Sequence, residues 1–323
     1  MFRILGMGNA LTDVLIKTHA DLLLNELGLP KGSMQLIDAS RFHEINQRIA
    51  GLPIQMVSGG SAANTMVGLA KLGQHAAFLG KVHADEVGLL YLKDMRDFGV
   101  ETRMLNGDLP SGQSLVFISP DGERTFATYL GASGTMTAAE LSPEQFTGVD
   151  LFYVEGYLLQ DHELILKAMR LAKDAGALVA LDLASYNVVE ANREFLRMLL
   201  TVAVDWVFAN EEEAASLLGL PVAETLDWLS KQVKIAVVKR GEDGAMAREG
   251  LAFAQVSAIP SECIDTTGAG DLFAAGFIHA KAQNRPLAEC LSYGAVVAGK
   301  VVEVVGSKID KMGWDSIQNA LSV

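Results

Sequence analysis

Short apolar runs alternate with longer segments of helical periodicity along most of this 323-residue chain. In Ser61–Leu72, for example, apolar residues recur at helical spacing and Gly73 can end the helix. Repeated strand–helix units favour an α/β fold with a central, mostly parallel sheet and helices on both faces, in a single domain over residues 1–323. The predicted strands are Arg3–Met7, Ala76–Leu79, Leu151–Val154, Leu178–Leu181, Trp206–Phe208 and Ile235–Val238.

One region interrupts this alternation. Ser114–Ser119 and Arg124–Tyr129 flank a Pro-Asp-Gly turn, which is typical of a β-hairpin. Gly32–Ile37 is another isolated short strand. Because these segments do not fit easily inside a parallel sheet, we predict a small β-lid over the main sheet, built from about Leu15–Asp38 and Asn106–Leu130. Exposed edges of such a lid favour pairing between subunits, so we expect a monomer or a homodimer formed through the lid.

Charge and cysteine content exclude several classes of protein. The chain has 26 Lys+Arg against 39 Asp+Glu, a net charge of −13, which disfavours nucleic acids and anionic membranes as partners. Cys263 and Cys290 are too few for a disulfide framework or a Cys-rich zinc site, which favours a reducing compartment. Asp13 interrupts the apolar start of the chain, and no uncharged run is long enough to span a membrane. We therefore expect a cytoplasmic protein that acts on small molecules.

The segment Asp265–Phe277 (DTTGAGDLFAAGF) carries the strongest chemical signal. Gly268, Ala269 and Gly270 lead directly into an apolar helix, where free backbone N–H groups and the helix dipole favour an anion. We expect that a side chain at position 270 would block close approach of the backbone to the anion and would conflict with the local φ angle, so that glycine is required there. Asp271 would repel a phosphate unless it takes a proton from an attacking hydroxyl. The alternative interpretation of Asp271 is an ordinary helix cap.

Two further motifs have the residue types of a ligand site. Gly59 and Gly60 lack a Cβ and would let the backbone approach a ligand, and Asn64 can both donate to and accept from a hydroxyl. Asn210 and Glu213 follow a predicted strand at its carboxyl end, where open α/β sheets bind ligands. Taken singly, the glycines fit a simple turn, Asn64 a structural role, and the acidic residues a helix start.

Together these motifs resemble, in order along nearly the whole chain, the PfkB-type (ribokinase-like) family of sugar and nucleoside kinases. In that family the residues matching Gly268–Asp271 form an anion hole for the transferring phosphoryl group, and the Asp is the general base. The resemblance implies ATP as phosphoryl donor and Mg²⁺ as cofactor. In the family, the residues that match Asn210 and Glu213 position magnesium and phosphate, and the contact of Glu213 with magnesium would be indirect.

The resemblance also implies roles for two loops. Lys239-Arg-Gly-Glu-Asp-Gly244 matches a loop that approaches the nucleotide, which makes Lys239, Gly241 and Gly244 candidate cofactor-binding residues. A monovalent cation such as K⁺ near Asp265 and Thr267 is a further implication of the family.

The start of the chain indicates a branch of this family. Gly8-Asn-Ala-Leu-Thr-Asp13 resembles the G-N-x-x-x-D start of adenosine-kinase-like members and departs from the ribokinase pattern G-S-x-N-x-D. Asn9 and Asp13 are therefore candidate substrate ligands, because a carboxylate can accept hydrogen bonds from both hydroxyls of a ribose. The lid segment around Arg124 also resembles that branch, where a matching Arg enters the site to balance phosphate charge. A loop or capping role for Asp13 and a solvated Arg124 are the plain alternatives.

Three functions remain open at this point. We expect a kinase for the 5′-hydroxyl of a purine nucleoside such as adenosine; the alternatives are a sugar kinase of ribokinase or fructokinase type and a catalytically silent binding protein. Retention of Asp271 with its glycine turn argues against a silent protein. Gly294–Val301 nearly matches a Walker A loop, but Val301 replaces the hydroxyl residue and the segment is typical of a packed helix.

Overall fold

The structure, a computed structural model, describes residues 2–17 and 22–321. Its strands are β1 (Arg3–Met7), β2 (Leu11–Lys17), β3 (Met34–Leu36), β4 (Ile54–Gly59), β5 (His75–Leu79), β6 (Lys81–Val82), β7 (Glu101–Thr102), β8 (Leu105–Asn106), β9 (Gly112–Ile118), β10 (Arg124–Tyr129), β11 (Leu151–Glu155), β12 (Leu178–Asp182), β13 (Trp206–Asn210), β14 (Ile235–Lys239), β15 (Ala245–Glu249) and β16 (Ala252–Val256). Its helices are α1 (Leu22–Glu26), α2 (Ala39–Ile49), α3 (Ser61–Lys71), α4 (Glu86–Asp97), α5 (His162–Asp174), α6 (Tyr186–Ala191), α7 (Arg193–Val202), α8 (Glu211–Leu218), α9 (Val222–Leu229), α10 (Ala269–Ala282), α11 (Leu287–Val301) and α12 (Lys311–Leu321).

The larger sheet has the strand order β16-β15-β14-β13-β12-β11-β1-β5-β7 within the described residues. From β14 to β7 all neighbouring strands are parallel, whereas β15 and β16 continue the sheet as an antiparallel edge. The six predicted strands are all present in this sheet, and the predicted mostly parallel architecture is confirmed. The antiparallel edge was not predicted.

Helices cover both faces of this sheet because its central strands are apolar on both sides. In β11, Phe152 and Val154 pack in one core with residues of α5, α7, α8 and α9. Leu151 and Tyr153, on the opposite face, pack with residues of α3, α10 and α11. This two-sided burial is the reason that the strands read as continuous apolar runs.

The smaller sheet has the order β3-β10-β9-β2-β4. Its β9 and β10 form the predicted antiparallel hairpin, and β3 lies within the predicted strand Gly32–Ile37. Of the two segments expected to build the lid, residues 18–21 lie outside the described residues. The sheet also includes the whole of β2 and β4, a strand that the sequence did not predict.

One face of the smaller sheet is covered by α1 and α2. Val14 and Phe117 belong to a core that includes Leu24 of α1 and Ile45 of α2. Strand residues alternate between the faces, so Asp13, next to Val14, lies on the opposite side. That side faces the larger sheet and leaves a cleft between the two sheets.

The segment that resembles a Walker A loop lies inside α11. A Cβ added at Gly294 would come within 2.9 Å of the Phe273 carbonyl oxygen of α10. The glycine therefore permits close packing of two helices, as the sequence predicted. No helix among residues 2–17 and 22–321 combines the length and apolarity that crossing a membrane requires.

Candidate active site

A cavity of about 730 Å³ lies between the two sheets. The following candidate residues line it: Asn9, Asp13, Gly60, Asn64, Asn210, Glu213, Lys239, Gly241, Gly244, Thr267, Gly268, Ala269, Gly270 and Asp271. Gly59, Arg124 and Asp265 do not line it but contact residues that do. The fold thus brings together candidates that are separated by up to 262 residues, since Asn9 and Asp271 share one cavity.

Four consecutive strands of the larger sheet each end in a polar residue at this cavity. Glu155, Asp182, Asn210 and Lys239 are the last residues of β11, β12, β13 and β14, and all four line it. Ligands of open parallel sheets bind at this carboxyl edge. Glu155 and Asp182 were not among the predicted site residues, although a charged residue directly after a buried strand was the signal that could have identified them.

Asp271 is the third residue of α10 and accepts two side-chain hydrogen bonds from α3. Ser61 Oγ donates to Oδ1 at 2.7 Å, and Asn64 Nδ2 donates to Oδ2 at 3.0 Å. Burial raises the pKa of Asp271 to about 6 despite these two donors. A carboxyl group with this pKa is ionised at neutral pH and is a better proton acceptor than an ordinary Asp. Ser61 was also missed, although it lies within the glycine motif.

The turn before α10 depends on glycine at one position. Gly268 has φ +78°, and a Cβ there would lie 2.7 Å from Ser307 Cβ. Gly270 has no positive φ, and a Cβ there would meet the flexible end of Lys239 at 3.1 Å. The backbone constraint expected at Gly270 therefore applies to Gly268. The N–H groups of the first helical turn have no intrahelical acceptor, so the segment Gly268–Asp271 can hold an anion. This segment is the anion turn.

The opposite wall of the cavity contains Asn9, Asp13 and the two glycines of the N-terminal motif. A Cβ at Gly59 would come within 2.4 Å of Asp13 Oδ2, and one at Gly60, where φ is +93°, within 2.4 Å of the Asn9 carbonyl oxygen. In this structure the glycines therefore make room for Asn9 and Asp13, where the sequence predicted close approach to a ligand. Asp13 belongs to β2, and burial raises its pKa to about 6.

Glu155 connects the strand edge to this wall. Its Oε1 accepts from the Asn9 backbone at 2.8 Å and from Asn9 Nδ2 at 3.1 Å, and its Oε2 accepts from the Ala62 backbone at 2.8 Å. Burial raises the pKa of Glu155 to about 7. This carboxylate fixes Asn9 relative to the start of α3.

Asn210 and Glu213 form a capping box at the start of α8. Asn210 Oδ1 accepts from the Glu213 backbone, and both Glu213 oxygens accept from Asn210, each at 2.8 Å. This is the helix-start role that the sequence left open, in a pair that also lines the cavity. Burial raises the pKa of Glu213 to about 7.

Lys239 supplies a positive charge to the cavity lining. Its Nζ donates to Asp182 Oδ2 at 2.9 Å. Burial lowers the pKa of Lys239, but Asp182 and Glu213 more than offset that effect and raise it. The ammonium therefore stays charged beside the anion turn.

The donor set fits magnesium held mainly by a nucleotide. No group of three His, Cys, Asp or Glu among the described side chains is arranged to hold a metal ion. Glu213 and Asp182 nevertheless bring carboxylates to the cavity. Mg²⁺ keeps several waters and binds through substrate phosphates with one or two carboxylates nearby, so indirect contact through Glu213 suits this arrangement.

Arg124 lies against the segment that leads into the anion turn. Its Nη2 forms an ion pair with Asp265 Oδ2 at 2.6 Å, and Nη1 donates to Thr267 Oγ1 at 3.4 Å. Asp265 also accepts from the Thr267 and Gly306 backbones. Arg124 is buried, so the solvated alternative is wrong. The charge of Asp265 is balanced here by a guanidinium, and a monovalent cation at this position stays a prediction.

Comparison with known proteins gives one family and two kinds of relative. The profile described as "pfkB family carbohydrate kinase" matches residues 32–312. A probable sugar kinase from Rhizobium etli CFN 42 has a TM-score of 0.89 at 34% identity, covering 99% of this chain and 98% of that chain. The adenosine kinase from Sinorhizobium meliloti has a TM-score of 0.88 at 34% identity, covering 99% of each chain. The ribokinase of Arabidopsis thaliana is 28% identical over 292 residues, which are 84% of this chain and 74% of that protein.

Proposed function

The chain belongs to the pfkB family of carbohydrate kinases, and on this premise we propose that it phosphorylates the 5′-hydroxyl of a purine nucleoside such as adenosine. The resemblance inferred from its motifs is confirmed, and with it the broad activity: the chain is a kinase with an alcohol group as phosphoryl acceptor. The choice of acceptor is our proposal. One observation carries it, namely that the half-buried carboxylate of Asp13 lies across the same cavity from Asp271.

In the proposed reaction Asp271 takes the proton of the attacking hydroxyl. Ser61 and Asn64 hold its carboxylate in place, and both donate to the ionised form. The backbone N–H groups of Gly268–Asp271 would stabilise charge on the transferring phosphoryl group, with Lys239 beside them. Such transfers need positioning and charge stabilisation more than covalent chemistry by the protein.

ATP would bind on the side of Lys239, Gly241 and Gly244, with Asn210 and Glu213 near its phosphates. Magnesium, when bound, would neutralise charge on those phosphates. Arg124, already next to the anion turn, would add positive charge there. These residue roles come from the family motifs and from the position of each residue in the cavity.

The nucleoside would bind between Asp13 and the smaller sheet. Asp13 would accept from the ribose hydroxyls, and Asn9, Gly60 and Asn64 complete that wall. Leu11, Leu36 and Phe126 give the cavity an apolar surface that suits a purine and that a free sugar does not need. The likeness to an adenosine kinase over 99% of the chain supports the same acceptor.

The smaller sheet would act as the lid of a single kinase domain. Closing over the acceptor excludes water, which would otherwise receive the phosphoryl group. Met34 and Leu36, on the edge strand β3, are 60% and 59% exposed, so a homodimer through this edge is the alternative to a monomer.

The test is ADP release from MgATP with adenosine, guanosine, ribose and fructose as acceptors. We expect kcat/KM to be highest for a purine nucleoside. Efficient turnover of ribose or fructose with no activity on any nucleoside would contradict the proposed acceptor and favour the sugar kinase, which the likeness to a ribokinase keeps as the second candidate. Binding of these ligands without any transfer would indicate a silent protein.

A further inference from the structure

A lysine outside every motif contacts one of the residues that line the cavity. Lys308 lies in the loop between α11 and α12, and its Nζ donates to Asn64 Oδ1 at 2.9 Å. Its ammonium also lies 5.3 Å from the centre of the Phe98 ring. The loop is held in place by Gly306, whose backbone donates to Asp265, and by Ser307, whose Oγ donates to Asn64 Oδ1 at 2.9 Å.

This contact determines which way the Asn64 amide faces. An ammonium has donors and no acceptor, so the amide atom that contacts Lys308 is the oxygen. The nitrogen therefore faces Asp271 Oδ2, at 3.0 Å. In this orientation Asn64 donates to the charged form of the carboxylate, while the flipped amide would place two oxygens against each other.

Lys308 is also one of the cations that act on carboxylates from three different elements. Asp13 of β2, Asp94 of α4 and Asp271 of α10 all interact electrostatically with its ammonium. Burial lowers the pKa of Lys308 to about 8, although each of these carboxylates opposes the shift. In return, Lys308 lowers the pKa of Asp13 against the effect of burial. Arg124 likewise lowers the pKa of Asp13, and for Asp271 the charge of Lys239 lowers the pKa while that of Asp182 raises it.

We propose that Lys308 is a positioning residue for phosphoryl transfer: through Asn64 it orients the hydrogen bond to Asp271, and its charge keeps Asp13 and Asp271 ionised. The inference rests on the proposed role of Asp271 as the base. It predicts that replacing the ammonium changes the pH at which the enzyme becomes active, which loss of packing alone does not do.

The test compares the pH profiles of kcat/KM, for the best acceptor of the panel at saturating MgATP, in Lys308→Met, Lys308→Gln, Lys308→Arg and Lys71→Met. Lys71 is the matched control, because its ammonium also lies 5.3 Å from the Phe98 ring, whereas the side-chain donors to Asn64 Oδ1 among the described residues are Ser307 and Lys308. Any titration of MgATP is common to all variants, so only the differences between profiles are interpreted. Melting temperatures are measured in parallel.

For the Met and Gln variants we expect the low-pH limb to move upward by about one unit, because a nearby cation lowers a carboxyl pKa. Their plateau should fall about 10-fold or more, because Asn64 loses a contact that orients its hydrogen bond to Asp271. Lys308→Arg should restore the low-pH limb. For the wild type we expect a decline near pH 8, where Lys308 loses its proton, and this decline should be absent in Lys308→Arg because a guanidinium does not deprotonate there. Lys71→Met should keep the wild-type profile.

The inference is wrong if folded Lys308→Gln or Lys308→Met has the wild-type low-pH limb, or if Lys71→Met moves it equally. If one of these two variants does not fold, the other decides, since Gln keeps a polar end and Met an apolar stem of similar length. Failure of the proposed base is a separate result, because Asp271→Asn would then keep its turnover whatever Lys308 does. Failure of the proposed acceptor would appear only in the comparison of nucleosides with ribose and fructose.

Discussion

At the scale of single residues, the candidate site contains carboxyl groups whose pKa is raised towards neutral pH by burial. The pKa is raised to about 6 for Asp13 and Asp271 and to about 7 for Glu155. Each of these carboxyl groups has hydrogen-bond donors or a cation nearby, because burying an unpaired charge costs much free energy. The differences in partner, more than in pKa, separate a candidate base from a candidate hydroxyl ligand.

Asp13 allows a prediction about substrate selection. If it binds the ribose hydroxyls, 2′-deoxyadenosine loses one charge-assisted hydrogen bond, worth about 1.5–3 kcal/mol, or about 10- to 150-fold in kcat/KM. Asp13→Ala should remove most of this discrimination, measured as the ratio of kcat/KM for adenosine and 2′-deoxyadenosine. Asp121→Ala, at an exposed carboxylate in the turn of the same sheet, is the control. An unchanged ratio in Asp13→Ala would assign Asp13 a purely structural role.

Sequence patterns could identify those site residues that lie in short motifs, such as Gly268–Asp271 and Asn210–Glu213. They could not identify residues that act through distant partners. Glu155 contacts Asn9 across 146 positions, and Lys308 contacts Asn64 across 244. Because the two partners of each contact are far apart in the sequence, no local sequence pattern links them, and only the folded structure shows the contact.

At the scale of elements, glycine turns determine how closely the parts of the site approach. Gly268 begins α10 in the left-handed region and leaves no space for a side chain beside Ser307. The anion turn and the loop that carries Lys308 therefore pack directly on each other.

Gly268→Ala should reduce turnover more than stability explains. Its φ of +78° is unfavourable for Ala, and the new Cβ would displace the Ser307 loop. Gly176→Ala is the matched control: φ is +84°, nothing lies within 4 Å of the new Cβ, and the position follows α5 away from the cavity. Both variants should lose about 1–2 kcal/mol of unfolding free energy from the left-handed φ, measured by urea denaturation, and Gly268→Ala should lose more because its Cβ meets Ser307. Only Gly268→Ala should also lose up to about 10²- to 10³-fold in kcat/KM for ATP, the effect of losing one such backbone donor. Equal activities of the two variants would contradict this account.

Elements of the larger sheet were predictable where burial on both faces leaves a continuous apolar run. Strand β4 was missed because Ile54–Gly59 has exposed residues at its start and two glycines at and just after its end. β16 was missed for a similar reason, since it lies at an edge and is largely exposed. The register of β2 against β9 is parallel and joins segments about 100 residues apart, which local periodicity does not reveal.

At the scale of the whole molecule, the cleft that holds the candidate site lies between two sheets that contribute different residues to it. The larger sheet brings four polar strand ends to one edge, and the smaller sheet adds Asp13 and an apolar wall. Arg124 of the smaller sheet pairs with Asp265, just before α10, and Lys308, in the loop after α11, donates to Asn64 of α3. Of the described side chains, five carboxylates and one lysine, Lys239, line the cavity of this chain of net charge −13. Binding of an anionic nucleotide would therefore depend on backbone N–H groups at the start of α10 and on Lys239.

The measurement that tests this account most directly is ADP release by Asp271→Asn, with ATP binding measured by calorimetry and folding by melting temperature. The substitution keeps the size of the side chain and removes its ability to take a proton. We expect kcat to fall by about 10²- to 10⁴-fold, the range for a lost general base, with ATP affinity and melting temperature close to wild type. Turnover near the wild-type value in the folded variant would contradict the proposed mechanism.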